Sequence, residues 1–115
     1  MDKIALFAFN GEMMCFVHVL LNAKDLAKQG YQVQLIVEGA ATALIPQLAD
    51  PTNPMGDLYC QVKEDGLIAG ACRACSAKMK VLDAVEAEGL TLLDDMMGHP
   101  SMSRYLAAGY RIITF

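Results

Sequence analysis

The hydrophobic pattern of this chain consists of short apolar runs separated by longer segments with helical spacing. Residues 3–9 and 66–71 are nearly continuous apolar runs, which is typical of strands covered on both faces. Residues 31–37 have a β-rich centre, and residues 90–93 and 110–114 predict two further strands. The pattern therefore predicts about five strands, most of them buried.

Helices are predicted between these strands. The first runs from the turn at Asn10-Gly11 to about Gln29, with Gly30 at the position of a C-cap glycine. Four more are predicted at residues 40–49, 57–64, 76–88 and 101–108. Strands that alternate with helices in this way predict one α/β domain over residues 1–115, with a mainly parallel sheet and helices on both faces.

Composition excludes several classes of partner. The net charge is −4 and no dense cluster of lysine and arginine is present, so nucleic acid is not an expected partner. Residues 4–9 are apolar but too short for a secretory signal, and no run approaches the roughly 20 apolar residues that span a bilayer. We expect a cytoplasmic protein without a membrane segment. The hydrophobic fraction of 55% favours a homo-oligomer over a monomer.

The most informative motif is Cys72-Arg73-Ala74-Cys75, which follows the third predicted strand. In open parallel sheets, functional sites gather beyond the carboxyl ends of the strands. The cysteine pair is predicted at that edge, as are residues 10–15, 38–39 and 94–99, which follow the other strands. We therefore expect chemistry at this edge of the sheet.

Two cysteines three residues apart have several possible uses. The thiolate form is the nucleophile, and Arg73 adds positive charge beside Cys72 and Cys75. The pair is consistent with a thiolate that accepts and passes on sulfur, with a dithiol/disulfide redox couple, or with two inert packed residues. Spacing and location together favour a functional role for both cysteines.

Other groups at the predicted edge are secondary candidates. His99 precedes a proline there and is a candidate proton donor or acceptor, while Asn10 and Gly11 follow the first strand and are candidate binding residues. No phosphate-binding glycine motif is present, and we expect no organic cofactor.

A metal is not expected either, because structural zinc usually takes four ligands and one Cys-x-x-Cys motif supplies two. A non-enzymatic oligomeric module that binds a small molecule or a soft metal remains an alternative, since sulfur ligands suit copper(I) and the same edge is rich in methionine. The sulfur and imidazole groups at this edge are Met13, Met14, Cys15, Cys72, Cys75, Met96, Met97 and His99.

The chain resembles the DsrE/DsrF/TusD superfamily of small sulfur-relay proteins, and most closely its single-domain YchN-like members. The resemblance rests on the opening strand and long helix, on Ala71-Cys72-Arg73-Ala74-Cys75-Ser76 and on the closing Gly109-Tyr110-Arg111-Ile112-Ile113-Thr114-Phe115. Where YchN-like relatives often carry Arg-Gly, this chain has Met79-Lys80.

This resemblance implies a three-layer α/β/α fold of the Rossmann- and flavodoxin-like type, in homo- or hetero-oligomers that are often trimers or hexamers. It also implies that a cysteine carries sulfur as a persulfide between partner proteins. That cysteine matches Cys72, and some small relatives retain only the one matching Cys75. The resemblance therefore makes Cys72 the first choice for a persulfide sulfur carrier, with protein sulfur donors and acceptors as partners.

Overall fold

The computed structural model of the chain describes residues 2–115. The strands are β1 (Lys3–Ala8), β2 (Gln32–Val37), β3 (Ile68–Cys72), β4 (Leu92–Leu93) and β5 (Tyr110–Thr114). The α-helices are α1 (Met13–Lys28), α2 (Leu44–Ala49), α3 (Gly56–Glu64), α4 (Arg73–Lys78), α5 (Leu82–Ala87) and α6 (Met102–Ala107), and a 3-10 helix spans Gly39–Ala43. Among these helices, none has the length and apolar character required to cross a membrane.

The five strands form one sheet in the order β4-β3-β2-β1-β5, and every neighbouring pair is parallel. The connections from β1 to β4 all step in one direction, so right-handed crossovers place α1 to α5 on a single face. The connection from β4 to β5 steps back across the sheet and places α6 on the other face. The predicted α/β fold, with a parallel sheet between helices, is confirmed.

The two faces of the sheet bury very different amounts of apolar surface. The α1-to-α5 face holds the larger core, which contains Leu6, Phe16, Leu35, Leu48 and Tyr59 among its buried residues. The α6 face holds a small core of four buried residues, Ala5, Phe7, Ile36 and Leu93. Helix α6 has no buried residue of its own. The second layer is therefore much thinner than the first.

Two predicted helices are interrupted in the structure. The helix predicted at residues 76–88 begins already at Arg73 and is broken between α4 and α5, because Lys80 adopts a left-handed conformation with φ of 61°. The amides of Lys80 and Val81 donate to the carbonyls of Ala77 and Ser76, which closes α4 as a Schellman motif does. The helix predicted at 40–49 starts instead as a 3-10 turn.

Large apolar side chains on the surface are available to form an interface. Those that are exposed are Phe9, Met14, Leu21, Met79, Met96, Met97, Leu106 and Ile113. Several flank the thinly covered side of the sheet or its carboxyl edge. The homo-oligomer expected from composition and resemblance stays a prediction.

Candidate thiol site at the carboxyl edge of the sheet

Four side chains with metal-ligating or nucleophilic atoms meet at the carboxyl edge of the sheet. Glu38 follows β2, Cys72 ends β3, Cys75 lies in the first turn of α4, and His99 follows β4. One carboxylate oxygen, two sulfurs and one imidazole nitrogen from these residues all lie within 4.8 Å of one another. The topology thus gathers residues from three neighbouring strand ends into one cluster, which we call the thiol cluster.

Cys72 is the innermost member of the thiol cluster. Its side chain is fully buried, and its sulfur caps α4 by accepting the backbone N–H of Cys75 at 3.3 Å. The thiol donates to the carbonyl of Gly98 at 3.7 Å, and the sulfur lies 3.1 Å from Nδ1 of His99. Burial raises the pKa of the Cys72 thiol to about 12, although the N–H of Cys75 opposes that shift. Cys72 is therefore a neutral thiol at physiological pH.

Cys75 is the accessible member of the pair. Its sulfur lies 3.7 Å from Nδ1 of His99, and its side chain is half-buried. It borders a groove of about 190 Å³ lined also by Gly39, Ala40, Lys78 and Met79. A small reactant can approach Cys75 through this groove.

His99 reaches the two thiols because a tight turn precedes it. Met96 and His99 exchange two backbone hydrogen bonds, and the central residues Met97 and Gly98 have φ of 51° and 88°. Positive φ at both central positions is the mark of a type I′ turn. The carbonyl of Gly98 also accepts the N–H of Ala74 at 2.9 Å, which fixes this turn against the start of α4.

Glu38 is the member of the thiol cluster that no motif in the sequence indicated as a site residue. It is 6% exposed, and none of the ion pairs formed by residues 2–115 includes it. Burial raises the pKa of its carboxyl group to about 7. The position at the carboxyl end of β2 was the only sequence signal available.

The remaining candidates lie at the same edge but outside the thiol cluster. Arg73 is exposed and pairs with Asp94 at 2.9 Å, so its guanidinium already has a partner. The side chain of Asn10 accepts the N–H of Glu12 at 2.8 Å and orders the start of α1. Gly11 packs against Ala40, where an added Cβ would lie 2.9 Å from the Cβ of that residue. Both of these residues shape the backbone of the edge.

Comparison with known proteins places the chain in a family. No protein-family model matches the chain. The uncharacterized protein MJ0733 of Methanocaldococcus jannaschii is 34% identical over 101 residues, which cover 88% of this chain and 80% of that protein. The chain belongs to the MJ0733 family. An uncharacterized protein of Archaeoglobus fulgidus is 43% identical over 42 residues, covering 36% of this chain and 69% of its own length.

A solved structure shares the fold of this MJ0733 family member. It is a conserved protein of unknown function, BT1422 from Bacteroides thetaiotaomicron, with a TM-score of 0.75 over 99% of this chain and 95% of that one. At 20% sequence identity the likeness concerns the fold alone. The resemblance to the DsrE/DsrF/TusD superfamily stays a prediction.

The tight turn before His99 yields a testable prediction for this MJ0733 family member. Gly98→Ala is expected to lower the free energy of unfolding by about 1–2 kcal/mol for the left-handed backbone, and further because the new Cβ lies 3.2 Å from that of Ala74. The matched control is Gly89→Ala, whose φ is 73° and whose Cβ would meet nothing within 4 Å. Urea unfolding of both variants measures the difference, and equal losses would contradict the contact between the turn and α4.

Proposed function

We propose that this protein carries sulfur as a persulfide on the Cys72/Cys75 pair, with Cys75 as the first acceptor. The observation that carries the proposal is that one imidazole nitrogen of His99 lies 3.1 Å from the Cys72 sulfur and 3.7 Å from the Cys75 sulfur. A base beside two thiols is the usual arrangement for an activated sulfur nucleophile. The resemblance to sulfur-relay proteins supports the same chemistry.

Burial favours Cys75 over Cys72 for the first step. Cys72 is fully enclosed and is held as a neutral thiol, whereas Cys75 borders the groove beside Lys78. His99 accepts the proton of the Cys75 thiol, and the ammonium group of Lys78 supplies positive charge near the incoming anion. This reverses the order implied by the resemblance, in which Cys72 comes first.

The proposed transfer balances without any external oxidant. The Cys75 thiolate attacks the outer sulfur of a donor persulfide, so a new S–S bond forms on Cys75 while the donor leaves as a thiolate. A thiolate of an acceptor protein then attacks the outer sulfur, and Cys75 leaves as a thiolate again. If Cys72 instead passes its proton to His99 and attacks the inner sulfur, hydrosulfide leaves and a Cys72–Cys75 disulfide remains.

Sulfur loading of reduced, metal-free protein tests this proposal. After treatment with inorganic polysulfide, intact mass and peptide mapping are expected to find one added sulfur on Cys75. Cys75→Ser should lose most of the loading, while Cys60→Ser, which removes an exposed cysteine on α3, should load like the wild type. Loading spread evenly over the exposed Cys15 and Cys60 and the half-buried Cys75 would contradict the proposal, because solvent access alone would then explain it.

A dithiol redox couple is the second candidate, favoured by the separation of less than 4.8 Å between the two sulfurs. A disulfide requires a modest approach of Cys75 toward Cys72. Titration against glutathione buffers, read by thiol alkylation, tests this redox couple. A Cys72–Cys75 disulfide that forms at reduction potentials found in the cytosol supports it. A pair that stays reduced throughout that range removes this candidate.

A further inference from the structure

We propose that the thiol cluster is a four-ligand site for a zinc ion, bound by the carboxylate of Glu38, the thiolates of Cys72 and Cys75 and the Nδ1 atom of His99. A tetrahedral zinc ion with bonds of about 2.0–2.3 Å separates its ligand atoms by roughly 3.3–3.8 Å. The contacts from His99 to the two sulfurs, at 3.1 and 3.7 Å, already have nearly this spacing. The remaining pairs lie within 4.8 Å, so small side-chain adjustments close the site.

Charge and burial support a cation at this point. Glu38 and Cys72 are buried acidic groups, and Cys75 beside them is half-buried. Among residues 2–115, no lysine or arginine forms an ion pair with Glu38. As ligands these three groups carry three negative charges, and burying such charge without a counter-charge is costly. A divalent ion offsets two of the three charges and bonds to all three groups. The backbone N–H of Cys75 donates to the Cys72 sulfur and so also stabilises negative charge on it.

The donor set selects the class of metal. Two sulfurs, one imidazole and one carboxylate suit a borderline ion such as zinc, whereas magnesium and calcium prefer oxygen alone. Copper(I) prefers soft ligands, whereas this cluster includes a carboxylate, and the neighbouring side chains of Met96 and Met97 are exposed at 51% and 97%. The geometry therefore points to zinc rather than to the methionine-rich copper site considered from the sequence.

A path to the cluster exists on both sides. The groove of about 190 Å³ reaches Cys75, and a second hollow of about 320 Å³, between the chain after β1 and the start of α6, reaches Glu38. Because four protein ligands fill the coordination of a tetrahedral ion, bound zinc covers both thiols. Zinc occupancy is then expected to block sulfur loading, a consequence that rests on the proposed function.

Metal titration of the full chain tests the site. Reduced, EDTA-treated protein is titrated with cobalt(II), followed by absorption, and with zinc in competition with a chromophoric chelator. The wild type is expected to bind one ion per chain, with sulfur-to-cobalt charge-transfer bands and the intense d–d bands of tetrahedral coordination. Glu38→Gln and His99→Ala are each expected to weaken zinc binding by at least about 10- to 100-fold, because each removes a ligand and the loss of even a ligand's hydrogen-bond partner costs that much. Cys60→Ser is the control that leaves binding unchanged.

Two outcomes would overturn the site. One is the absence of a tetrahedral cobalt spectrum in wild-type protein whose fold is verified by circular dichroism. The other is binding that is lost in Cys72→Ser and Cys75→Ser but unaltered in Glu38→Gln and His99→Ala, which would show a thiol pair binding metal adventitiously. Neither experiment uses a sulfur donor, and sulfur loading is scored on metal-free protein. Failure of the zinc site and failure of sulfur carriage are therefore separate results.

Discussion

Gly70→Ala is expected to lower the free energy of unfolding by about 3 kcal/mol, the upper end of what overpacking costs. A Cβ on Gly70 would lie 2.3 Å from the carbonyl oxygen of Thr91 and 2.9 Å from Cγ of Leu93. That carbonyl accepts the N–H of Ala71, so the backbone at Thr91 cannot move away without breaking a hydrogen bond between β3 and the start of β4. The strand that leads to His99 would be displaced with it.

Urea unfolding of the variant measures this effect, with Gly66→Ala as the matched control. Gly66 lies just before β3 at φ of 74°, and a Cβ there would meet nothing within 4 Å. It therefore carries only the cost of the left-handed backbone, about 1–2 kcal/mol. Faster alkylation of Cys72 in Gly70→Ala would report the loosened edge. If the free energy of unfolding falls no further than in Gly66→Ala, β4 can move aside for the added methyl group and the expectation is wrong.

Glu38→Gln is expected to remove a pH dependence of stability that spans the range from about pH 4.5 to pH 7. Burial raises the pKa of the Glu38 carboxyl group from 4.5 to about 7 in the folded protein. Between these values the unfolded chain releases the proton while the folded chain keeps it, so the stability falls as the pH rises. The full difference amounts to about 3 kcal/mol and is reached above pH 7.

The measurement is urea unfolding of both proteins at several pH values between 4.5 and 8, with EDTA and a reductant present. The groups that face Glu38, namely Cys72, Cys75 and His99, are common to both proteins. Their contributions therefore cancel in the comparison of slopes to the extent that they do not depend on Glu38. The wild type should lose stability more steeply than the variant as the pH rises. Parallel curves would mean that the carboxyl group is solvated in solution.

Much of the fold could be predicted because local patterns decide it. Solid apolar runs predict buried parallel strands, and their alternation with helical segments predicts the layers. The position of Cys72 and Cys75 followed from one rule about the carboxyl ends of strands, and the structure places them there. His99 was a candidate for the same reason.

What could not be predicted depends on long-range geometry. A lone glutamate after β2 has no spacing relation to the cysteines, and only the pairing of β2 with β3 brings Glu38 to them. The break after α4 occurs at Lys80, which adopts a conformation that glycine usually adopts. Because no glycine stands there, the sequence did not predict the break. Likewise, the burial of Cys72 was not visible from its place in a motif that usually marks reactive thiols.

The helical layers on the two faces of the sheet differ in how much they bury, which implies that the molecule does not unfold as one unit. Helix α6 buries no residue of its own and rests on Phe7 and Tyr110 through the edge of the Tyr105 ring. Local unfolding free energies follow buried apolar contact, so α6 is expected to detach while the core beneath α1 stays intact. The hollow beside Glu38 is partly walled by Met102 of α6. A ligand at the thiol cluster can then exchange when this one short helix detaches. That local opening requires much less free energy than unfolding of the whole protein.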